Sequence, residues 1–321
     1  MTVQYHPETG ERGIEWTDET RNPIGGCKHG CRWFMPDGTE AICYAEEIAE
    51  SGVAKRAYPH GFAHHYFRPD ALQQLARGND PLLIFADSMS DMFAPNVPED
   101  QIHQMLDKMR EGRHHSYQSL TKAAPQLLKY TARMPPNLWV GVSSPPDFFM
   151  GHQLTPKNQE ATLRKSLDVL RDVKQRTGNI VWMSAEPVSW DLTSVIDVTH
   201  GLDWIVIGAA SNGRQDFQPD PEHIRRLLNI MDAVDTPVFF KGNIQPLFEK
   251  HDFGSARLNR WREDFPTLYS DGSSIPAVTR RQELCAKFGW TKIDREYPLP
   301  RWTEVATTTT GTSARLDKKG A

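Results

Sequence analysis

The chain alternates short apolar runs of strand character with segments of helical periodicity, and this alternation limits its fold more than any other feature. Seven runs are rich in β-branched or aromatic residues and end in small or polar ones. They are "GIEWT" (13–17), "PLLIFADSMSD" (81–91), "SYQSLTK" (116–122), "LWVGVSS" (138–144), "IVWMSAEP" (180–187), "DWIVIGAASNG" (203–213) and "PVFFKGN" (237–243). Apolar residues recur at helical spacing in the intervening segments near 102–109, 163–173 and 224–231. The alternation predicts a parallel sheet with crossover helices, either closed into a barrel or open.

Two details favour a barrel-like α/β fold. The runs "LLIFA", "WIVIGA" and "VFF" are continuously apolar, which is typical of strands buried on both faces. No glycine-rich dinucleotide-binding turn follows the first run. We therefore predict a partial or complete (β/α) barrel over residues 1–250. Residues 251–302 are expected to form a C-terminal extension that packs on the barrel, and the polar tail 303–321 to be disordered.

Composition and charge exclude several classes of protein. The chain has 37 basic and 41 acidic side chains, and its net charge of −4 argues against indiscriminate binding to nucleic acid. No apolar run reaches the length of a membrane span. The N-terminus "MTVQYHPETGERG" has no signal-peptide pattern, so we expect a cytoplasmic protein. In that reducing compartment, four cysteines favour metal binding or catalysis over disulfides.

Three of the four cysteines lie in "GGCKHGCRWFMPDGTEAICYAEE" (25–47), directly after the first predicted strand. Cys27 and Cys31 are three residues apart, whereas eleven residues separate Cys31 from Cys43. The longer insert has Pro-Asp-Gly at 36–38, which predicts a turn and therefore a small hairpin. Because a hairpin returns its ends to one place, we expect Cys43 to lie beside Cys31, at the end of the barrel that carries the chemistry.

Two kinds of metal site fit three clustered thiols. Zinc takes four tetrahedral ligands, and the fourth would come from one of His29, His60, His64, His65 or Cys285. Three thiolates also hold three irons of a 4Fe-4S cluster and leave the fourth iron open for a substrate or cofactor. The spacing alone does not choose between zinc and iron. Three unligated cysteines on a surface loop are the remaining interpretation.

Hydroxyl and carboxylate side chains at the ends of other strands are candidates for the same site. Ser88, Ser90 and Asp91 end the second predicted strand, where they would hold the ammonium group or the ribose of a cofactor. The alternative is that they cap the following helix and close its loop. Ser143 and Ser144, together with the turn at 212–213, are further candidates for ribose or adenine contacts.

Charged residues follow three further strands. Lys122 and Lys241 would meet a carboxylate, a phosphate or an acidic partner, or would simply face solvent. Glu186 stands at the end of an apolar strand and before a proline, so we expect it to project into the mouth of the barrel. There it would bind a ribose or the substrate, or form a buried salt bridge with Lys241 or Lys122.

Two aromatic segments remain. "YPHGFAHHYF" (58–67) would stack on a base, ligate zinc or pack internally. Residues 279–302 carry six basic and three acidic side chains interleaved with aromatic ones, which suits a nucleic-acid face or a segment closing the barrel. Cys285 lies there beside Leu284 and Phe288 and is more typical of a core cysteine than of a ligand.

Eight segments carry a resemblance to a known family, in order from about residue 14 to 243: "IEWTDETRNPIGGCKHGC", "CYAEE", "FADSMSDMF", "SLTKAAPQL", "LWVGVSS", "SAEP", "WIVIGAASNG" and "PVFFKG". The chain resembles a phage-associated family with a three-cysteine motif of radical S-adenosylmethionine type. Related sequences join the second and third cysteines by two residues, in the pattern C-x3-C-x2-C, commonly with an aromatic residue before the last cysteine. Here Ile42 precedes Cys43, Tyr44 follows it, and the predicted hairpin is inserted.

The resemblance implies a 4Fe-4S cluster on Cys27, Cys31 and Cys43, with S-adenosylmethionine bound to the open iron by its amino and carboxylate groups. One electron from an external donor would cleave the sulfonium and give a 5′-deoxyadenosyl radical that abstracts hydrogen from a substrate. The predicted cofactor-binding residues are Ser88, Asp91, Ser143, Glu186, Lys122 and Lys241.

The association with phages suggests a nucleobase or modified nucleotide in DNA as the substrate, with hypermodification or repair as the outcome. Two other functions stay open at this point. One is a zinc-stabilised nucleic-acid-binding protein without redox chemistry, and the other is a catalytically inactive barrel that acts as a scaffold.

Overall fold

The computed structural model describes residues 2–3, 13–35, 37–52, 54–79, 81–211 and 216–266. The strands are β1 (Thr2–Val3), β2 (Glu19–Thr20), β3 (Ile24–Gly25), β4 (Arg32–Phe34), β5 (Glu40–Ile42), β6 (Tyr66–Phe67), β7 (Leu83–Phe85), β8 (Ser116–Thr121), β9 (Leu138–Ser143), β10 (Phe148–Phe149), β11 (His152–Gln153), β12 (Val181–Ala185), β13 (Trp204–Ile207), β14 (Ala210–Ser211), β15 (Asp216–Phe217) and β16 (Val238–Phe240). The α-helices are α1 (Tyr44–Glu50), α2 (Pro69–Gln74), α3 (Glu99–Glu111), α4 (Pro156–Thr177), α5 (Pro221–Ala233), α6 (Gln245–Lys250) and α7 (Ala256–Asn259).

The main sheet has eight strands in the order β1-β2-β7-β8-β9-β12-β13-β16. Every neighbouring pair from β2 to β16 is parallel, and β1 adds one antiparallel strand at the edge. Within the described residues, no strand pairing joins β16 back to β1 or β2. The seven parallel strands therefore form a partial barrel, which confirms the predicted α/β class.

The first predicted strand is wrong in its position. Residues 13–17 form a turn, in which Thr17 N–H donates to Ile14 O at 3.3 Å, and the strand that pairs with β7 is β2. At Asp18 the backbone N–H donates to Leu83 O at 2.9 Å, but the N–H of Leu83 donates to the Asp18 carboxylate at 2.8 Å instead of to a backbone carbonyl. Trp16 is buried by inward packing while its backbone turns, so its aromatic character imitates that of a strand residue.

The three long helices cover the outer face of the sheet, as the helical periodicity predicts. α3 begins directly after Pro98, while Thr155 and Asp220 cap α4 and α5 by accepting backbone N–H groups of the first turn. Their apolar faces join one large buried cluster with alternate residues of the strands, such as Met183 of β12. This layer fixes the orientation of each strand and therefore the place where each strand ends.

Aromatic side chains fill the inner face of the partial barrel. Trp182 lies between Trp16 and Trp204, with ring centroids 5.1 and 5.0 Å away, and Trp139 packs on Trp204 at 5.7 Å. Gly141 of β9 permits this packing, because a Cβ atom there would lie 2.5 Å from Cε2 of Trp182. The floor of the barrel is thus a packed core.

Residues 251–266 are the described part of the predicted C-terminal extension, and they pack on the barrel. Phe253 and Leu258 are buried in the outer cluster, while Phe265 joins the inner one. Residues 267–321, with Cys285, the basic and aromatic segment and the tail, lie outside the described residues. The domain boundaries at 250 and 302 stay predictions.

Candidate functional site

A cavity of about 640 Å³ lies at the carboxyl ends of the parallel strands. Its wall is formed by residues that follow β2, β7, β8, β9, β12, β13 and β16, together with the cysteine loop and α1. All nine predicted site residues line this cavity: Cys27, Cys31, Cys43, Ser88, Asp91, Lys122, Ser143, Glu186 and Lys241. Predicted site residues from six separate segments of the sequence are therefore brought together at one place.

The predicted hairpin is confirmed. β4 pairs with β5 in antiparallel register, with Arg32 opposite Ile42, and the turn at Gly38 has a φ of 83°. β10 and β11 extend the hairpin to a four-stranded sheet. Cys31 is buried in this small sheet's core and Cys43 packs against the same cluster before α1 begins. The insertion therefore returns Cys43 to the neighbourhood of Cys31.

Backbone hydrogen bonds fix the first half of the cysteine loop. Gly26 N–H donates to Met89 O and Cys27 N–H donates to Phe62 O, both at 2.9 Å. Gly26 has a φ of 83°, and a Cβ atom at this position would lie 1.8 Å from the carbonyl oxygen of His64. Only glycine fits this close approach. The loop is thus held between the turn after β7 and the segment that precedes β6.

The three thiols influence one another electrostatically. Burial raises the pKa of Cys31 to about 11, although nearby Lys122 opposes this shift. Burial, Asp91 and the other two thiols raise the pKa of Cys27 still further. The cavity therefore disfavours free thiolates unless a cation compensates their charge. Among the described residues, no three His, Cys, Asp or Glu side chains converge closely enough to hold a single metal ion.

Asp91 organises the wall between the cysteines and β8. Its carboxylate accepts hydrogen bonds from Phe93 N at 3.0 Å and from Thr121 Oγ1 and Lys122 N at 2.9 Å. His29 Nδ1 lies 3.6 Å from Asp91 Oδ2. Burial lowers the pKa of His29, although the Asp91 carboxylate acts in the opposite direction. The loop-closing interpretation of Asp91 is thus supported by its contacts, and Asp91 positions its neighbours.

Asn22 ties the end of β2 to the turn after β7. Its amide exchanges hydrogen bonds with Ser88 Oγ at 2.9 and 3.1 Å and accepts Met89 N–H at 3.2 Å. Ser88 is therefore engaged by protein atoms. The neighbouring Ser90 Oγ is buried and without a partner among the described residues, and it lines the cavity. Ser144, in contrast, donates to Pro187 O at 3.0 Å and does not line the cavity.

Glu186 lines the cavity as expected and forms the anticipated salt bridge. One carboxylate oxygen lies 3.3 Å from Lys241 Nζ. The other accepts Ser184 Oγ at 2.9 Å and Trp16 Nε1 at 3.2 Å. Glu186, followed by Glu15, raises the pKa of Lys241 although burial acts in the opposite direction. Lys122 does not pair with Glu186.

Sequence reasoning missed several residues of the wall. Asn22, Asp87 and Asn243 line the cavity, and Asn243 exchanges hydrogen bonds with the backbone of Ala209 at 2.9 and 3.1 Å. Burial, followed by Asp91, raises the pKa of Asp87 well above its usual range. Asp87 and Asn243 lie within three residues of the ends of β7 and β16, so the rule that located Glu186 would also have found them, whereas Asn22 follows β2, the strand whose position was predicted wrongly.

The histidine and aromatic segment 58–67 reaches the cavity only through Tyr58 and Phe62. His60 and His64 are exposed and their rings pack edge to face at 5.0 Å. Neither these two residues nor His65 lines the cavity, and only Tyr58 and Phe62 of this segment are buried. The turn at 212–213 and Cys285 lie outside the described residues.

Comparison with known proteins identifies a family. Residues 11–252 match the family model described as "Protein of unknown function (DUF5131)", and the chain belongs to this family. No curated protein matches the sequence. Among solved structures, the chain is similar to a mutant of spore photoproduct lyase, with 11% identity, a TM-score of 0.38 and coverage of 93% of this chain and 80% of that chain. It is also similar to spore photoproduct lyase complexed with dinucleoside spore photoproduct, with 12% identity, a TM-score of 0.35 and coverage of 92% and 65%.

Proposed function

We propose that this member of the DUF5131 family is a radical S-adenosylmethionine enzyme in which Cys27, Cys31 and Cys43 ligate a 4Fe-4S cluster. The observation that carries the proposal is that the three thiols and six polar residues from other strand ends line a single cavity. When bound, the cluster would supply one electron to S-adenosylmethionine, and the resulting radical would abstract hydrogen from a substrate carbon.

The chemistry of the donor set favours an iron-sulfur cluster over zinc. A single zinc ion needs its sulfur ligands about 2.3 Å from one point, whereas each thiolate of a cluster binds a different iron. The three thiols share the cavity wall without converging on one point. A bound metal would also offset the burial that raises the pKa of Cys27 and Cys31.

The rest of the cavity has the properties that controlled radical chemistry requires. Its wall is mainly apolar, and Trp16, Tyr58 and Phe62 are buried parts of it. Such a wall excludes water, which would otherwise compete for the ligand's polar groups. Ser90 offers an unpartnered hydroxyl, and the Glu186–Lys241 pair offers a carboxylate and an ammonium to a ribose or an amino-acid group.

We further propose a nucleobase or nucleotide as the substrate, with hypermodification or repair of phage DNA as the outcome. Aromatic side chains such as Tyr44 and Phe85 line the cavity and suit a planar ring. Exposed Tyr44 and Ile48 on α1 give the cavity mouth an apolar surface on which a base can rest. No helix in the described parts of the chain has the length and apolar character needed to cross a membrane.

The test is to purify the full chain without oxygen and to measure iron, sulfide and zinc per chain. We expect iron and sulfide in cluster proportion, and 5′-deoxyadenosine after S-adenosylmethionine and a reductant are added. Cys43→Ala should abolish the cluster, while Cys285→Ala, which removes the fourth cysteine, should leave it intact. Zinc without sulfide would contradict the proposal and favour the nucleic-acid-binding alternative. A cluster that never cleaves the cofactor would favour the scaffold.

A further inference from the structure

An indole N–H and an ammonium lie in the cavity wall without a hydrogen-bond acceptor among the described residues. The indole Nε1 of Trp33, carried by the inserted hairpin, is buried and donates to no atom of the described residues. Lys122 Nζ lies 5.9 Å from the centre of the Trp33 ring. Its ammonium makes no hydrogen bond or ion pair within the part of the chain that the structure describes. Both residues line the cavity, beside the cysteines.

The arrangement around these donors leaves them available to a ligand. The nearby Asp91 carboxylate is occupied by Phe93 N, Thr121 Oγ1 and the backbone N–H of Lys122. A buried donor without an acceptor costs about 1 to 3 kcal/mol of folding free energy. Trp33 Nε1 is such a donor, so its position in this wall is unfavourable unless a molecule in the cavity accepts its hydrogen bond, and half-buried Lys122 supplies a cation next to it.

We propose that Trp33 Nε1 and Lys122 Nζ form a subsite for an anionic oxygen group, a carboxylate or a phosphate, of the molecule that enters this cavity. An indole N–H and an ammonium can only donate, so the group that they bind must accept. The ammonium forms a stronger, charge-assisted hydrogen bond with an anionic oxygen than with a neutral carbonyl. The inference rests on the proposed function in giving the cavity a ligand, but it does not require an iron-sulfur cluster.

Two sources of the anionic group are chemically equivalent here. The carboxylate would come from the amino-acid part of S-adenosylmethionine, and the phosphate from a nucleotide substrate. Two pairs of probes distinguish them. S-adenosylhomocysteine carries the carboxylate that 5′-methylthioadenosine lacks, and thymidine 5′-monophosphate carries the phosphate that thymidine lacks.

The experiment is calorimetric titration of the full chain, as purified without oxygen, with each of the four probes. Trp33→Phe keeps an aromatic ring but removes the N–H, and Lys122→Met removes the charge. We expect each variant to lower the binding affinity of the anionic probe of one pair on the order of tenfold, which is the value of one hydrogen bond to a charged group. The affinity of the neutral probe of that pair should not change. The pair that responds identifies the source.

Trp190→Phe is the matched control, because the Trp190 indole N–H is also buried without a partner but does not line the cavity. Lys122→Arg keeps the charge and should retain most of the affinity, so it tests the subsite even if Lys122→Met does not fold. The subsite is refuted if no probe binds the parent, or if both members of each pair respond equally. Iron, sulfide and 5′-deoxyadenosine are measured separately, so loss of the proposed function is distinguishable from loss of the subsite.

Discussion

Arg32 and Ile42 are directly opposed in the antiparallel hairpin, so the cysteines that flank this pair, Cys31 and Cys43, leave the hairpin at the same end. Opposed residues of an antiparallel pair have Cα atoms about 4.5 to 5.5 Å apart. Consecutive residues have theirs about 3.8 Å apart. The hairpin could therefore be replaced by a peptide bond between Arg32 and Ile42 with little movement of either thiol.

Deleting residues 33–41, which joins Arg32 to Ile42, should leave the metal content of the protein unchanged. The deletion removes Trp33 and so should weaken binding of the anionic probe on the order of tenfold. Metal and sulfide per chain and calorimetric titration are the two measurements. Deletion of residues 32–43 is the control, because it removes Cys43 and should lose the metal. A soluble 33–41 deletion without metal would show that the hairpin itself is needed to position Cys43.

Sequence periodicity predicted most of the sheet because burial on both faces leaves continuous apolar runs. β8, β9 and β12 all lie inside predicted runs. The first strand escaped because β2 has only two residues, and at Asp18 the pairing with Leu83 combines one backbone hydrogen bond with one to the Asp18 side chain. A hydrogen bond from the backbone to a side chain leaves no periodic pattern in the sequence that could be detected.

The site was predictable for a different reason, since parallel strands deliver their last residues to one edge of the sheet. That rule located Glu186 and Lys241 without any knowledge of contacts between them. It could not rank Ser88 against Ser90, because only the fold decides that Asn22 engages one hydroxyl and leaves the other free. The approach of Lys122 Nζ to the Trp33 ring also depends on where the hairpin lies relative to the end of β8, and no local sequence pattern determines that position.

Arg21→Lys should lower the free energy of unfolding by about 2 to 3 kcal/mol. One guanidinium nitrogen of buried Arg21 donates to the carbonyls of Gln74, Leu75 and Arg77 at 2.8 to 3.0 Å, and the guanidinium also pairs with Glu19. A lysine ammonium cannot cap the end of α2 and engage Glu19 in the same planar geometry. Urea denaturation measures the change.

Arg176→Lys is the control for that substitution, because Arg176 forms an exposed pair with Asp172 and should show no measurable change. Equal urea midpoints for Arg21→Lys and the parent would mean that water replaces the lost hydrogen bonds at no cost.

His115 should make the protein less stable in mild acid. Burial, with smaller contributions from His114 and Arg21, lowers the pKa of His115 to about 3. Since the pKa of histidine in the unfolded chain is about 6.5, the unfolded state binds the extra proton between the two values, and stability falls as pH falls through this window. Between pH 7 and pH 5 the contribution amounts to about 2 kcal/mol. His115→Gln should remove that part of the decrease in urea stability.

His152→Gln is the control for the pH experiment, because His152 is exposed on β11 and its replacement should leave the slope unchanged. A slope that persists in His115→Gln would assign the acid sensitivity to other groups.

The contributions of Glu186 and Lys241 to the free energy of unfolding should depend on each other. Glu186 is largely buried, and Lys241 supplies the cation nearest to its unshared oxygen, at 3.3 Å. Lys241→Met should therefore lower the free energy of unfolding by about 1 to 3 kcal/mol, because it leaves a carboxylate partly buried and uncompensated.

Adding Glu186→Gln to Lys241→Met should restore much of the lost stability, since an amide needs no counter-charge and can still accept from Ser184 Oγ and Trp16 Nε1. Urea denaturation of the parent, both single variants and the double variant gives the coupling energy of the pair. Coupling near zero would mean that solvent in the cavity screens the two charges. In that case we expect the pair to contribute to ligand binding and not to stability. The affinities of the cavity probes should then differ between the two single variants although their free energies of unfolding are the same.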